Sequence, residues 1–489
     1  MGQLGDEEAA CQLQQALLLA EEEDGSSDGG SGGDPTPRPG GAASRATLLQ
    51  TLANFLNIFV GTGMQSMPYA LMRGGWLALG ALLLIMPLFA LSGQLIVWAF
   101  DLMPSNAPKT YPELGRVAAG RYPMQNELNT NCCCRFRLYA ELFGGHIILI
   151  LVSWRMAGLL LPPGWGPLSP LQLAAAVSTT LQLPLLFVDL RRLSRLAMVG
   201  LASSGFLIAM VLSLLVMDPQ RQAMAQQPPP THHLASLGVI QAIGVFALSS
   251  TAHSTLPALR IAMQKPSRFP LALMLGFTTM LIGYSAIASA GYWYWGDAAS
   301  PLAADDLAAN SFFTGSRVPI HRVLAALVLV NCLTKVPGLI LVLQDMLISF
   351  LPHGEATYFH PPKLAYLIRL VLFGCGTLLA LTAYRVLGSA LSLLGGLASI
   401  SCSLLLPTAF YSLLSWRRLR LPAKAGLTVL LAVGVALVGL ITSSNLCDLL
   451  ESCRERHSHG GSSSSGSNGG SSSWLPWVGL QAALLQSQG

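Results

Sequence analysis

The sequence predicts an all-α polytopic membrane protein with about eleven transmembrane helices. Three observations carry this. Only 10% of the 489 residues are charged and 52% are hydrophobic, against about 25% charged in soluble globular chains. Uncharged apolar runs recur through the middle of the chain; Trp76 to Phe100 holds no Asp, Glu, Lys or Arg, and roughly 20 apolar residues suffice to cross a bilayer. Lys and Arg concentrate in alternate loops, the pattern that fixes membrane orientation. A soluble bundle is excluded because helices apolar all round leave no polar face for water.

Residues 1–46 read as a disordered acidic tail, with Glu21-Glu22-Glu23-Asp24 running into Gly, Ser and Pro. No cleavable signal peptide is expected there. The transmembrane domain is placed at 47–446, with helices at about 48–72, 76–100, 138–161, 170–189, 194–217, 234–259, 270–295, 320–351, 363–384, 386–416 and 422–446. Residues 447–489 form a Gly/Ser-rich tail, in which Trp474 to Leu485 is apolar but too short to span. With the amino terminus in the cytosol, cytosolic loops hold sixteen basic residues, among them Arg191, Arg192, Arg195, Arg260, Lys265 and Arg268. The opposite loops hold five: Arg73, Arg221, Arg317, Arg322 and Arg385. An odd number of spans then puts the C-terminal tail outside the cytosol. The nine cysteines have no metal-ligand spacing. Cys132, Cys133 and Cys134, beside a membrane entry, suit free thiols or S-palmitoylation, and Cys447 and Cys453 suit pairing on an oxidising side.

The first span is not a simple helix. It reads Asn54-Phe-Leu-Asn57-Ile-Phe-Val-Gly61-Thr62-Gly63-Met64-Gln65-Ser66-Met67-Pro68, and its two glycines and proline weaken the middle. The sixth span carries a matching interruption at Ser249-Ser250-Thr251-Ala252-His253-Ser254-Thr255-Leu256-Pro257. Glycines at Gly61 and Gly63 also suit close helix packing, but the paired interruption favours a break. Two five-helix units, each opening on a broken helix, form the pattern of an inverted-repeat secondary transporter. Free N–H groups at half-helix amino termini suit a carboxylate and exposed carbonyls suit an ammonium, so a zwitterion fits both. The expected substrate site is Asn57, Gly61, Thr62, Gly63, Met64, Ser249, Ser250 and Thr251.

At these residues the sequence resembles the amino acid/auxin permease family, in its vacuolar amino acid transporter and vesicular inhibitory amino acid transporter branch. The resemblance covers about 47–446 and rests on Asn57, Gly61-x-Gly63, Met67-Pro68-Tyr69-Ala70, Gly74-Gly75-Trp76, Tyr111-Pro112-Glu113-Leu114-Gly115, Leu183-Pro184, Asp189-Leu190-Arg191, Ala252-His253 with Pro257, Asn331 with Lys335, and Leu406-Pro407. Gln65 and Ser254 depart from the family pattern. The resemblance implies a LeuT-like fold, a 5+5 inverted repeat plus one extra helix, and amino acid transport usually coupled to protons in a vacuolar or other endomembrane.

Charge inside a span costs at least about 2.5–3.5 kcal/mol, so ionisable residues there are informative. Lys335 and Asn331 share one face of span eight at i,i+4 spacing. Lys335 is expected to face the interruption in span one, either titrating or holding backbone carbonyls. His253 suits a proton relay or a structural hydrogen bond. Ion or proton coupling is accordingly expected at Lys335, Asn331 and His253. Glu141, His146, Arg155 and Asp345 read as helix-end or scaffold residues that snorkel or pair, and Tyr292-Trp293-Tyr294-Trp295 as an interfacial aromatic belt.

The function expected is secondary active transport of neutral amino acids, with protons, the amino acid and the lipid bilayer as partners. An amino acid sensor that binds but transports little is the alternative. A membrane-embedded enzyme is disfavoured because no His-Glu-x-x-His or Gly-x-Ser-x-Gly set occurs. A channel is disfavoured because no ring of charges or filter sequence occurs. Nothing in the sequence indicates a cofactor, a metal or nucleic acid, and oligomeric state is left open.

Overall fold

The computed structural model describes residues 46–60, 62–104, 111–120, 127–161, 169–187, 202–213, 230–309, 320–348 and 363–460. Helices make up its regular structure, apart from one isolated bridge between Ala46 and Met263. Among the described residues seven helices are long and apolar enough to cross a membrane: Leu77–Asp101, Phe136–Leu160, Pro266–Ala298, Ile320–Gln344, Leu364–Ala383, Leu387–Arg418 and Leu421–Asp448. The protein is a multi-pass membrane protein. The other four expected spans fall on shorter helices. The first comprises α1 (Leu48–Phe59), a 3-10 turn (Thr62–Ser66) and α2 (Met67–Gly74). The fourth is α6 (Pro170–Leu185) and the fifth is described as α7 (Ala202–Ser213). The sixth comprises α8 (Val239–Ser249), a 3-10 turn (His253–Thr255) and α9 (Leu256–Ala262).

The remaining elements are α3 (Leu77–Asp101), α4 (Tyr111–Gly120), α5 (Glu127–Leu160), α10 (Phe269–Trp295), α11 (Ala303–Ala309), α12 (Ile320–Ile348) and α13 (Lys363–Ala383). The tenth span runs as α14 (Leu387–Leu394), two π-helical stretches (Gly395–Ser399 and Ser401–Leu405) and α15 (Leu406–Ser415); α16 (Leu421–Gly460) closes the described chain. The chain divides into one unit ending at Asn445 and a second from Leu446, whose described part is the end of α16. The acidic tail before Ala46, the 188–201 segment, the Cys132–Cys134 side chains and the tract after Gly460 lie outside the described residues.

Local chemistry sets the helix ends. Thr47 caps α1: its hydroxyl accepts from the Gln50 N–H at 3.3 Å, and the Gln50 side chain accepts from the Thr47 N–H at 2.8 Å. Ser169 and Gln172 repeat this at α6. The second halves of spans one and six both open on a proline, Pro68 and Pro257. Proline is tolerated there because first-turn N–H groups have no helical partner. Gly75, at φ 68°, ends α2 in the left-handed region, where a Cβ would meet the His233 carbonyl at 2.6 Å.

Packing centres on the interrupted spans. The two halves of span one lie against α10, and α8 packs on α2, α3, α14 and the first π stretch. Phe55, Phe59 and Phe277 interlock, with ring centroids 4.2 to 5.5 Å apart. Leu84, Ile282, Leu378 and Val435 are exposed, as a lipid-facing surface requires. The aromatic run is not a uniform belt. Trp293 is exposed, whereas Tyr292 is buried against Trp76 and His232 and donates to Asp297 at 3.0 Å. The connection before α8 covers the end of α2, with Leu77 N–H donating to the Leu234 carbonyl at 2.8 Å.

Candidate functional site

The interruptions of spans one and six meet face to face. A Cβ on Gly63 would lie 2.5 Å from Ser249 Oγ and 2.9 Å from Ser249 Cα. Glycine is therefore required by the close approach, so packing and interruption are the same event here. Met64 is buried beside it. Asn57 lies on α1 and Thr62 in the following turn; their side chains, and Gly61 altogether, are outside the described residues.

The three expected hydroxyls of span six have different fates. Ser249 Oγ donates back to the Val245 carbonyl at 2.8 Å, and Ser250 Oγ donates to Met86 Sδ at 3.0 Å. Thr251 reaches across the bundle. Its hydroxyl donates to the Glu141 carboxylate on α5 and lies 2.8 Å from Ser403 Oγ in the second π stretch. With the Thr251 hydrogen directed at Glu141, Ser403 is the donor of that second bond. The Cys402 thiol also bonds to Glu141.

His253 is fully enclosed by the rings of Phe59, Phe89 and Phe277, with centroids 5.7 to 5.9 Å away. Its Nε2 lies 2.9 Å from the Phe89 carbonyl and 3.1 Å from Ser92 Oγ. A carbonyl only accepts, so Nε2 carries the hydrogen. Nδ1 has no partner among the described residues. Ser92 Oγ in turn donates to the Ser403 carbonyl at 2.5 Å. Polar groups from α3, α5, the span-six interruption and span ten thus join in one buried chain from Glu141 to His253.

Tyr284 of α10 ties the interruptions from the other side. Its hydroxyl donates to the Ser249 carbonyl at 2.7 Å and lies 3.4 Å from the Phe59 carbonyl. These are the last residues of α8 and α1, and of the two carbonyls the one on Ser249 has the hydroxyl's single hydrogen. Asn331 and Lys335 sit one turn apart on α12, which packs extensively along α5. Asn331 is buried and its Oδ1 has no partner among the described residues; Lys335 is half-buried.

Glu141 corrects the sequence expectation. It reads there as a helix-end residue, because span three is expected to begin near 138. The helix starts about four turns earlier, at Glu127, so Glu141 is not at its end, and the residue is buried. Tyr284, Ser92, Cys402 and Ser403 are likewise absent from the expected site. Small polar residues in apolar runs give no signal by themselves. His146 is fully buried against Phe143 and Phe373, with no partner at either ring nitrogen among the described residues, so it does not snorkel. Arg155 does pair, with Asp305 of α11 at 2.5 Å. The Asp345 side chain is outside the described residues.

Helices interrupted at paired positions and packed directly against each other, with a buried polar cluster beside the second, define a membrane transporter of LeuT-like fold. The chain is similar to the structure titled "Inward facing conformation of Mhp1", with a TM-score of 0.51 and 14% identity over 84% of this chain and 92% of that one. The family described as transmembrane amino acid transporter protein matches residues 44–445, and the chain belongs to it. Relatives in Arabidopsis thaliana include Amino acid transporter AVT1D, 29% identical over 54% of this chain and 46% of that protein. Amino acid transporter AVT1C is 27% identical over 81% of this chain and 68% of that protein.

Proposed function

We propose that the chain is a secondary active transporter of neutral amino acids, coupled to protons. It works by alternating access around the interruptions of spans one and six. The observation that carries this is the direct apposition of Gly63 and Ser249, which puts the 3-10 turn of span one against the end of α8, where span six leaves the α-helix. Non-helical backbone in a membrane is tolerated where it is buried in protein or lines a wet cavity. The named relatives support an amino acid as cargo, and the family resemblance of the sequence supports a vacuolar or other endomembrane as the location. The excess of basic residues in alternate loops supports a cytosolic amino terminus. The carrier occupies 47–446, flanked by the two tails. The substrate lies among Asn57, Gly61, Thr62, Gly63, Met64, Ser249, Ser250 and Thr251, and coupling runs through Lys335, Asn331 and His253.

The test is pH-gradient-driven uptake in proteoliposomes, using the twenty labelled proteinogenic L-amino acids. Accumulation of at least one neutral member, collapsing with a protonophore, is the expected result. Specific binding without flux would instead make the protein a sensor, and neither binding nor flux would end the reading. Lys335→Gln should leave downhill exchange but lose acceleration by the gradient; unchanged coupling at normal expression would remove Lys335 from the mechanism.

A further inference from the structure

Glu141 is the buried carboxyl group to which the transport reading gives no role. It is buried inside the protein, five residues into the apolar span that starts at Phe136. The ion pairs among the described residues are Arg116–Glu113, Arg155–Asp305, His233–Asp297 and Arg260–Asp101, and Glu141 is in none of them. Its partners are neutral donors, the Thr251 hydroxyl and the Cys402 thiol. Ser403 donates into Thr251, so the polarity of the chain runs toward the carboxylate and strengthens it as an acceptor. A buried carboxylate held only by neutral groups is expensive, and it either takes up a proton or meets a counter-charge.

A zwitterionic cargo brings such a charge. The carbonyls that end α1 and α8 are the alternative seat for an ammonium, but the Ser249 carbonyl already accepts from Tyr284, and neither carbonyl brings the full negative charge that a carboxylate does. Thr251, bonded to Glu141 from the non-helical segment, is itself half-buried rather than sealed. We propose that the Glu141 carboxylate, flanked by Thr251, receives the ammonium group of the transported amino acid. This rests on the transport reading above and adds a residue and a role to it. Cargo then bridges α5 and the span-six interruption, and a carboxylic acid lacking the amine has no seat.

The experiment compares inhibition constants in proteoliposomes. The twenty labelled L-amino acids first identify one that the wild type carries. That amino acid and its des-amino acid, the same skeleton with hydrogen in place of the ammonium, then compete against the labelled tracer. In the wild type the amino acid should win by at least ten-fold. In Glu141→Gln that ratio should fall to within about two-fold of unity, because the amide cannot compensate the ammonium. A merely structural glutamate would weaken both competitors together and leave the ratio intact, which would overturn the proposal. A proton-carrying glutamate would lose gradient-driven accumulation with the ratio unchanged, which would overturn it equally. Should Glu141→Gln fail to elute as a monodisperse peak, Glu141→Asp carries the test, with the ratio expected to drop at least three-fold and an unchanged ratio counting against the proposal. If the wild type carries none of the twenty, the transport reading falls first; if it carries one and the ratio ignores Glu141, only this inference falls.

Discussion

A hydrogen on Gly63 and a hydroxyl on Thr251 do different work at the two interruptions. Gly63 provides space. A methyl there would sit 2.5 Å from Ser249 Oγ, well inside van der Waals contact, so Gly63→Ala should cut initial uptake at least ten-fold. The added Ser249→Gly change should restore part of it, because it removes the Oγ and Cβ but not the Cα at 2.9 Å. Uptake by the single and double variants at matched expression checks this, and no recovery in the double would mean that Ser249 is not the obstacle. Thr251 provides a donor. The sequence shows both positions, because Gly-x-Gly and a hydroxyl run interrupt apolar stretches. It does not show that Ser249 and Ser250 spend their hydroxyls on Val245 and Met86 while Thr251 reaches Glu141. That division depends on rotation about one helix axis, and three adjacent residues with similar side chains carry no record of it.

At the scale of elements, the short helix α11 is held by charge. Arg155 of α5 pairs with Asp305, Ser66 Oγ donates to the Pro301 carbonyl at 2.7 Å, and both oxygens of Asp306 accept from the Ser300 N–H at 2.9 and 3.2 Å. Burial, with the neighbouring Asp305 charge adding to it, pushes the Asp306 carboxyl up to about 7 from an ordinary 3.8. A carboxyl raised in the folded loop binds more protons there than when the loop is open. The closed loop therefore loses stability as pH rises from about 4 to about 7, and holds constant above that. Amide exchange over 296–309, corrected for intrinsic rates, should show less protection at pH 7.5 than at pH 5.5, and Asp306→Asn should flatten the difference. Equal protection in the wild type at both values would remove Asp306 as the sensor. The tenth span offers a second test at this scale. A Cβ on Gly395 would fall 1.7 Å from the Gly244 carbonyl oxygen, backbone that cannot step aside. Gly395→Ala should lower the midpoint of thermal unfolding in detergent by several degrees, and an unchanged midpoint would mean that span ten repacks freely. The sequence places this span but not its π-helical middle, since a wider turn is set by what the neighbouring helix demands.

For the whole molecule, orientation is the testable quantity. Lys265, before α10, and Asp297, after it, are proposed to face the cytosol and the opposite compartment. In sealed vesicles with background thiols removed, Lys265→Cys and Asp297→Cys should react with a membrane-impermeant maleimide from opposite sides; labelling from one side would overturn the topology. The architecture was legible because lipid leaves few options: apolar length, basic loops and paired interruptions are all written locally. The contents of the site were less so. Glu141 was misplaced because α5 extends eleven residues before the expected start at 138, through Asn, Thr and Cys residues that no apolar window marks. What Glu141 meets, the Thr251 hydroxyl of span six, is set by packing between helices that no local pattern records.

The glycine contact between α8 and span ten also constrains motion. Gly244 and Gly395 bring two main chains together with no side chain between them, and a methyl on Gly244 would in turn meet the Ser392 carbonyl oxygen at 2.3 Å. Interlocked backbones slide poorly and part only by opening a void. The first half of span six and the upper part of span ten should therefore travel as a single lever, so that any hinge serving the cargo lies beyond them, in the π-wound turns where Ser403 and Cys402 hold their partners.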